Sequence, residues 1–125
     1  LNALNMAKSA YAAPQIVLST ARGTEYRVIS RITARMAEAG KHGTQSWPRL
    51  VAALHDNHRL WTALAIDLAS PGNKLPEALR AEILSLADFS LRHTGAVLAR
   101  KAEIAPLIEI NTAILRGLAK TEQTA

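Results

Sequence analysis

The chain has 125 residues and a mass of 13.5 kDa, the length of one domain, with 49% hydrophobic against 20% charged residues, enough to build a core. It contains no cysteine, which excludes disulfides, thiolate zinc sites, iron–sulfur clusters and cysteine nucleophiles, and with aromatics at 4% the core must be mostly Ala, Leu, Ile and Val. The formal net charge of +5 arises within residues 1–50, which carry seven basic side chains against two acidic, whereas residues 51–125 carry eight of each.

In chain order, residues 2–12 predict a short helix with Leu4, Ala7, Ala10 and Tyr11 spaced for one face. Pro14 interrupts it, and 15–20, with Ile16, Val17 and Leu18, is expected as an extended connector packed on the helices. A second helix is predicted over 24–39, with Thr24 as its cap and Glu25 in the first turn, where the positive helix end favours a carboxylate. Its inward ridge is Tyr26, Ile29, Thr33 and Met36, widened by Val28 and Ile32. Arg27, Arg31 and Arg35 recur every four residues and so form a basic row on another face.

Gly40 and Gly43 predict a loop, with Ser46 capping a third helix over 47–69. Trp47, Leu50, Leu54, Asn57, Trp61, Leu64 and Leu68 recur there at three and four residues, the spacing of bundle packing. Ser70, Pro71, Gly72 and Asn73 form a turn. A fourth helix is predicted from about Pro76 to about Arg100, with Leu79, Ile83, Leu86, Ser90 and Val97 inward. Gly95 within it costs about 1 kcal/mol relative to Ala, which predicts a close helix approach or a bend. A fifth helix starts at Pro106, with Leu107, Asn111, Ile114 and Leu118 on one face, and 121–125 is expected to fray. The expectation is an all-α fold, one compact bundle of about five helices with short loops spanning residues 1–125.

No run of about 18 uncharged apolar residues occurs, so no membrane-spanning helix is expected. Asn5, Lys8 and Ser9 break the first apolar run and no basic stretch precedes it, so no secretory signal is expected either, and the location predicted is cytoplasmic.

Chemistry-bearing motifs are absent: no phosphate-binding glycine loop, no dinucleotide fingerprint, no HExxH and no calcium loop. His55 and His58 flank Asp56, yet two histidines three apart supply only two ligands where structural zinc takes four, so no metal and no cofactor are expected. Ser, His and Asp occur without a nucleophile elbow, and Glu82 and Asp88 are not spaced to meet, so the chain is not read as an enzyme. The basic row, extended by Arg22 and Lys41, has the chemistry to contact phosphates, but the aromatics are too few for a base-stacking platform. Asn57 and Asn111 fall on inward registers, where each is either a core amide bonded across helices or a polar point in a partner groove. A cofactor-free Ala- and Leu-rich bundle is suited to receiving an amphipathic helix.

Five segments together carry a resemblance: NALNMAKSAYA over 2–12, RGTEY over 22–26, ALHDNHRLWTALAIDL over 53–68, LPEALRAEI over 75–83 and IEINTAILRGLA over 108–119. In order and spacing they resemble the FlaF family of flagellar biosynthesis proteins of alphaproteobacteria. The resemblance implies a small cytoplasmic helical protein that binds flagellin, supports its secretion and filament assembly in a chaperone-like role, and works with the companion translation regulator FlbT. It places Asp56, Asn57, Arg59, Leu60 and Trp61 foremost, followed by Arg22, Glu25, Tyr26, Glu109, Asn111 and Thr112. Flagellin, through a terminal helix, is the expected partner; an apolar groove near Trp47, Leu54 and Trp61 is expected to receive it, with Arg27, Arg31 and Arg35 guiding acidic residues. The alternative is a post-transcriptional regulator that contacts flagellin messenger RNA through the basic N-terminal part, or contacts FlbT.

Overall fold

A computed structural model describes residues 24–124. Four helices run through them: α1 (Thr24–Gly40), α2 (Trp47–Ala69), α3 (Glu77–Leu98) and α4 (Ala105–Thr124), with a 3₁₀ turn at Gly43–Ser46 and no strand among the described residues. The class is therefore all-α. Of the roughly five helices expected, four are present; the first, over 2–12, and the connector over 15–20 lie outside the described residues.

Helix α2 is the centre of the bundle. It packs along α1 on one flank and α3 on the other, while α4 closes against α1. The ridge read from its sequence is the one it buries, at Leu50, Leu54, Asn57, Trp61 and Leu68, with Ala53 added and Trp47 and Leu64 only half-buried. Two apolar clusters fill the interior, one around Met36, Leu54 and Leu107, the other around Trp61, Leu86 and Ile110. The half-buried Leu60 packs against both, and against a third group around Ile29.

A buried polar network ties three helices together. The Trp61 indole N–H donates to Asn111 Oδ1 at 3.0 Å. Asn111 Nδ2 donates to Asn57 Oδ1 at 2.8 Å and to Thr33 Oγ1 at 3.1 Å, and the Thr33 hydroxyl donates to the Ile29 carbonyl at 2.6 Å. Asn57 and Asn111 are 0% and 1% exposed, which makes them core amides bonded across helices rather than groove residues. Each bond contributes only about 1 kcal/mol net, but removing one partner strands a buried donor or acceptor at about 1–3 kcal/mol.

Helix ends differ from the sequence reading where local geometry intervenes. Ser46 stands at the N-cap of α2 but makes no side-chain cap bond, because the preceding 3₁₀ turn leaves it with φ −105° and ψ 15°, outside the extended conformation a capping side chain favours. Pro76 caps α3 instead of opening it, its carbonyl accepting the Arg80 N–H at 3.0 Å. The far end of α3 stops at Leu98, two residues early. Arg100 adopts φ 60°, its N–H bonding the Val97 carbonyl and the Lys101 N–H that of Ala96, which is a Schellman termination. The strain of a left-handed arginine is offset by its guanidinium, stacked 4.2 Å from the Trp47 ring centroid.

Gly95 overturns the expectation of close approach: a Cβ built there meets nothing within 4 Å, and α3 runs continuously through it. The close approach is at Gly40, where a Cβ would sit 3.2 Å from Ile104 Cγ2.

Two stability outcomes follow from these placements. Gly95→Ala is expected to stabilise the fold by about 0.5–1 kcal/mol, read as a melting temperature a few degrees higher, since only backbone entropy changes. Asn111→Leu is expected to lower the urea-unfolding free energy by about 2–4 kcal/mol, because it strands both the Trp61 N–H and Asn57. Trp61→Phe, which removes a donor together with its bond, should leave fewer orphaned groups in the network, and an Asn111→Leu loss below 1 kcal/mol would contradict the structural weight given to the network.

Candidate functional site

Leu54 and Trp61, two of the three residues expected to line an apolar groove, are in the core. Leu54 is fully buried and Trp61 is 2% exposed, its indole spent on Asn111, so neither is free to line a docking surface. Trp47 is half-buried under Arg100 beside a small cavity of about 210 Å³.

Between α1 and α2 runs a larger groove of about 710 Å³. Its apolar surface comes from Val28 and Ile32 on α1 and from Leu60, Ala63 and Ile66 on α2. Helical spacing explains the set: on α2 residues 59, 60, 63 and 66 follow one face beside the buried Trp61 ridge, and on α1 residues 28, 31, 32 and 35 do the same. Ile66 is 66% exposed and is one of only two large apolar side chains left open to solvent among the described residues, Leu98 being the other.

Charge is concentrated at the same place. Arg31, Arg35 and Arg59 line the groove with His58 and one carboxylate, Asp56. Arg35 and Asp56 pair across it at 2.5 Å, both side chains more than a third exposed, so the pair bridges α1 and α2 but adds little stability. Arg31 and Arg59 are exposed and have no carboxylate partner among the described residues. At the end of α1, Glu38 accepts from His42 Nε2 at 3.1 Å and lies 3.9 Å from Lys41. The His42 hydrogen bond first, then the Lys41 charge, hold its carboxyl below the usual range.

The residues singled out from sequence thus divide. Arg31, Arg35, Asp56, Arg59 and Leu60 meet at the groove. Asn57, Trp61 and Asn111 form the core network. Arg27 is exposed on α1 but outside the groove lining, and Tyr26 packs against Ile29. Glu109 is exposed on α4, and the Thr112 hydroxyl is turned back onto the Ile108 carbonyl at 2.7 Å. Arg22 and the Glu25 side chain lie outside what the structure describes. Sequence reasoning missed Thr62, Ala63 and Ile66 and assigned Val28 to the core. The available signal was an apolar pair, Ala63 and Ile66, three apart and off the main ridge of α2.

Among the described residues no three His, Asp or Glu side chains gather as a metal set, and no helix is long and apolar enough to cross a membrane. No curated protein and no solved structure matches the chain. Residues 7–118 match the family model described as flagellar protein FlaF, and that match, covering most of the sequence and the whole of α1, α2 and α3, establishes that this chain belongs to the FlaF family of flagellar proteins.

Proposed function

We propose that this protein is a flagellin-binding, chaperone-like factor for filament assembly, and that it receives an amphipathic helix of flagellin in the groove between α1 and α2. Membership of a flagellar family supports the setting. The observation that carries the reading is the exposed Ile66 on an apolar groove bordered by Arg31 and Arg59, which suits a helix with one apolar face and acidic flanks. Covering Ile66 removes an isoleucine from water, worth up to about 1.5–3 kcal/mol. Nothing in this account requires catalysis, a cofactor or a metal; binding is the activity.

Arg27 and Arg31, exposed and without carboxylate partners among the described residues, favour a second reading in which the protein contacts flagellin messenger RNA or a FlbT-like translation regulator. Salt separates RNA from flagellin. Phosphate contacts lose affinity steeply as salt rises, whereas an apolar groove retains it.

Calorimetric titration with monomeric flagellin at two salt concentrations, and with flagellin leader RNA in parallel, checks the reading. Saturable flagellin binding that survives moderate salt is expected, weakened roughly tenfold or more by Ile66→Ser, a change at an exposed position that leaves the fold intact. The Arg27→Gln, Arg31→Gln, Arg35→Gln triple variant is expected to slow association and flatten its salt dependence. RNA binding without flagellin binding at either salt would transfer the assignment to the regulator.

A further inference from the structure

The groove is polar along its length. Arg35 and Asp56 pair at the end nearest the α1–α2 turn; one helical turn further come Arg31 and Arg59; then Val28 and Ala63; and at the far end Ile66. From Asp56 to Ile66 helix α2 rises about 15 Å at 1.5 Å per residue, room for roughly three turns of a bound helix. Asp56 already satisfies Arg35, so the positive charge without a carboxylate partner among the described residues is that of Arg31 and Arg59, while the Val28, Thr62, Ala63 and Ile66 stretch of the lining is uncharged. Arg27 is exposed one turn beyond Arg31 but does not line the groove.

A helix laid in such a groove has two possible directions, and they are not equivalent. Its C-terminal end carries about half a negative charge from unpaired carbonyls, and its N-terminal end about half a positive charge. We propose that the groove selects direction: the partner is an amphipathic helix whose acidic residues lie in its C-terminal turns, seated with that end against Arg31 and Arg59 and with its apolar residues running toward Ile66. This rests on the groove being the binding site. In the reverse direction the positive helix end meets the two arginines and the carboxylates lie over uncharged surface, so the helix-end term changes sign and the carboxylate term is lost. Asp56 sharpens the choice by occupying Arg35 and repelling any carboxylate that slides past Arg31 toward the turn.

Two blocked synthetic peptides of about fourteen residues test this with the full chain. Both carry the same Leu and Ala stripe on a Gln background, with three Glu in the last turn of one and the first turn of the other; acetyl and amide ends remove terminal charges. Glutamates at a helix N-terminus favour helix in the free peptide, so any intrinsic bias runs against the proposal. Fluorescence anisotropy at low salt is expected to show the C-terminally acidic peptide binding about three- to tenfold tighter, as two exposed charge pairs allow. The gap should shrink at high salt and vanish in the Arg31→Gln, Arg59→Gln double variant, whose melting temperature should hold because both side chains are exposed. Equal affinities, or preference for the N-terminally acidic peptide, with Ile66→Ser weakening both, overturn the directional inference and leave the groove standing. Binding of neither peptide, or binding indifferent to Ile66→Ser, overturns the groove as the docking site as well.

Discussion

The hydrogen bond from Trp61 to Asn111 is the constraint on which the other placements depend. It joins α2 to α4, and through the Asn111 amide it reaches Asn57 on α2 and Thr33 on α1. Apolar packing alone would tolerate small rotations or slides of one helix against another, because hydrophobic attraction has no direction. An amide buried among three specific partners does not, since any slip strands polar atoms away from water. The largest fully buried side chain, Trp61, is thus fixed in rotation as well as in depth, and α2 with it.

Once Trp61 and Asn57 are turned inward, the outward side of α2 follows from helical geometry. Arg59, Ala63 and Ile66 share a face, and the neighbouring face of α1 presents Val28, Arg31 and Arg35 beside it. The groove is therefore a by-product of the same register that closes the core. Leu60 sits at the junction, touching all three apolar clusters from the groove floor. A partner pressing on Leu60 meets a residue already braced by the interior, which favours a preformed surface over one that must be moulded on binding.

Much of the fold was legible because the signals are local. The three-and-four spacing from Trp47 to Leu68 identifies α2 and most of its buried ridge, and Ser70 to Asn73 marks its end. That turn is built as its composition suggests: the Asn73 side chain accepts from the Leu75 N–H at 3.0 Å. The groove was not legible, for a physical reason. A residue lining an apolar groove has the same chemistry as one in the core, and only the arrangement of the next helix decides which it becomes; Trp61 and Ile66 are both apolar residues on α2, yet one is buried and the other is two-thirds exposed. The partnership of Asn111 with residues 50, 54 and 78 positions away was equally out of reach, since sequence gives the register of each helix but not which helices meet. Arg100 hid for the opposite reason: a left-handed arginine violates the local rule that Gly ends helices this way, and its compensation, Trp47, is 53 residues distant.

Part of the charge imbalance of the first fifty residues acquires its meaning once the described acids are placed. Glu38 engages His42 and Lys41, and Asp56, from the neutral half of the chain, engages Arg35. Among the described side chains of α1 that leaves Arg27 and Arg31, joined from α2 by Arg59, a short basic strip beside the exposed Ile66. Exposed charges of this kind add little to the strength of a complex but act over about a Debye length, roughly 8–10 Å, and so accelerate and orient the approach of an acidic partner. Under the proposed function, affinity would then fall to the apolar surface of Ile66, Ala63 and Val28. In the proposed role the two halves of the groove would divide the work of recognition, the arginines deciding how a partner arrives and the apolar face deciding how long it stays.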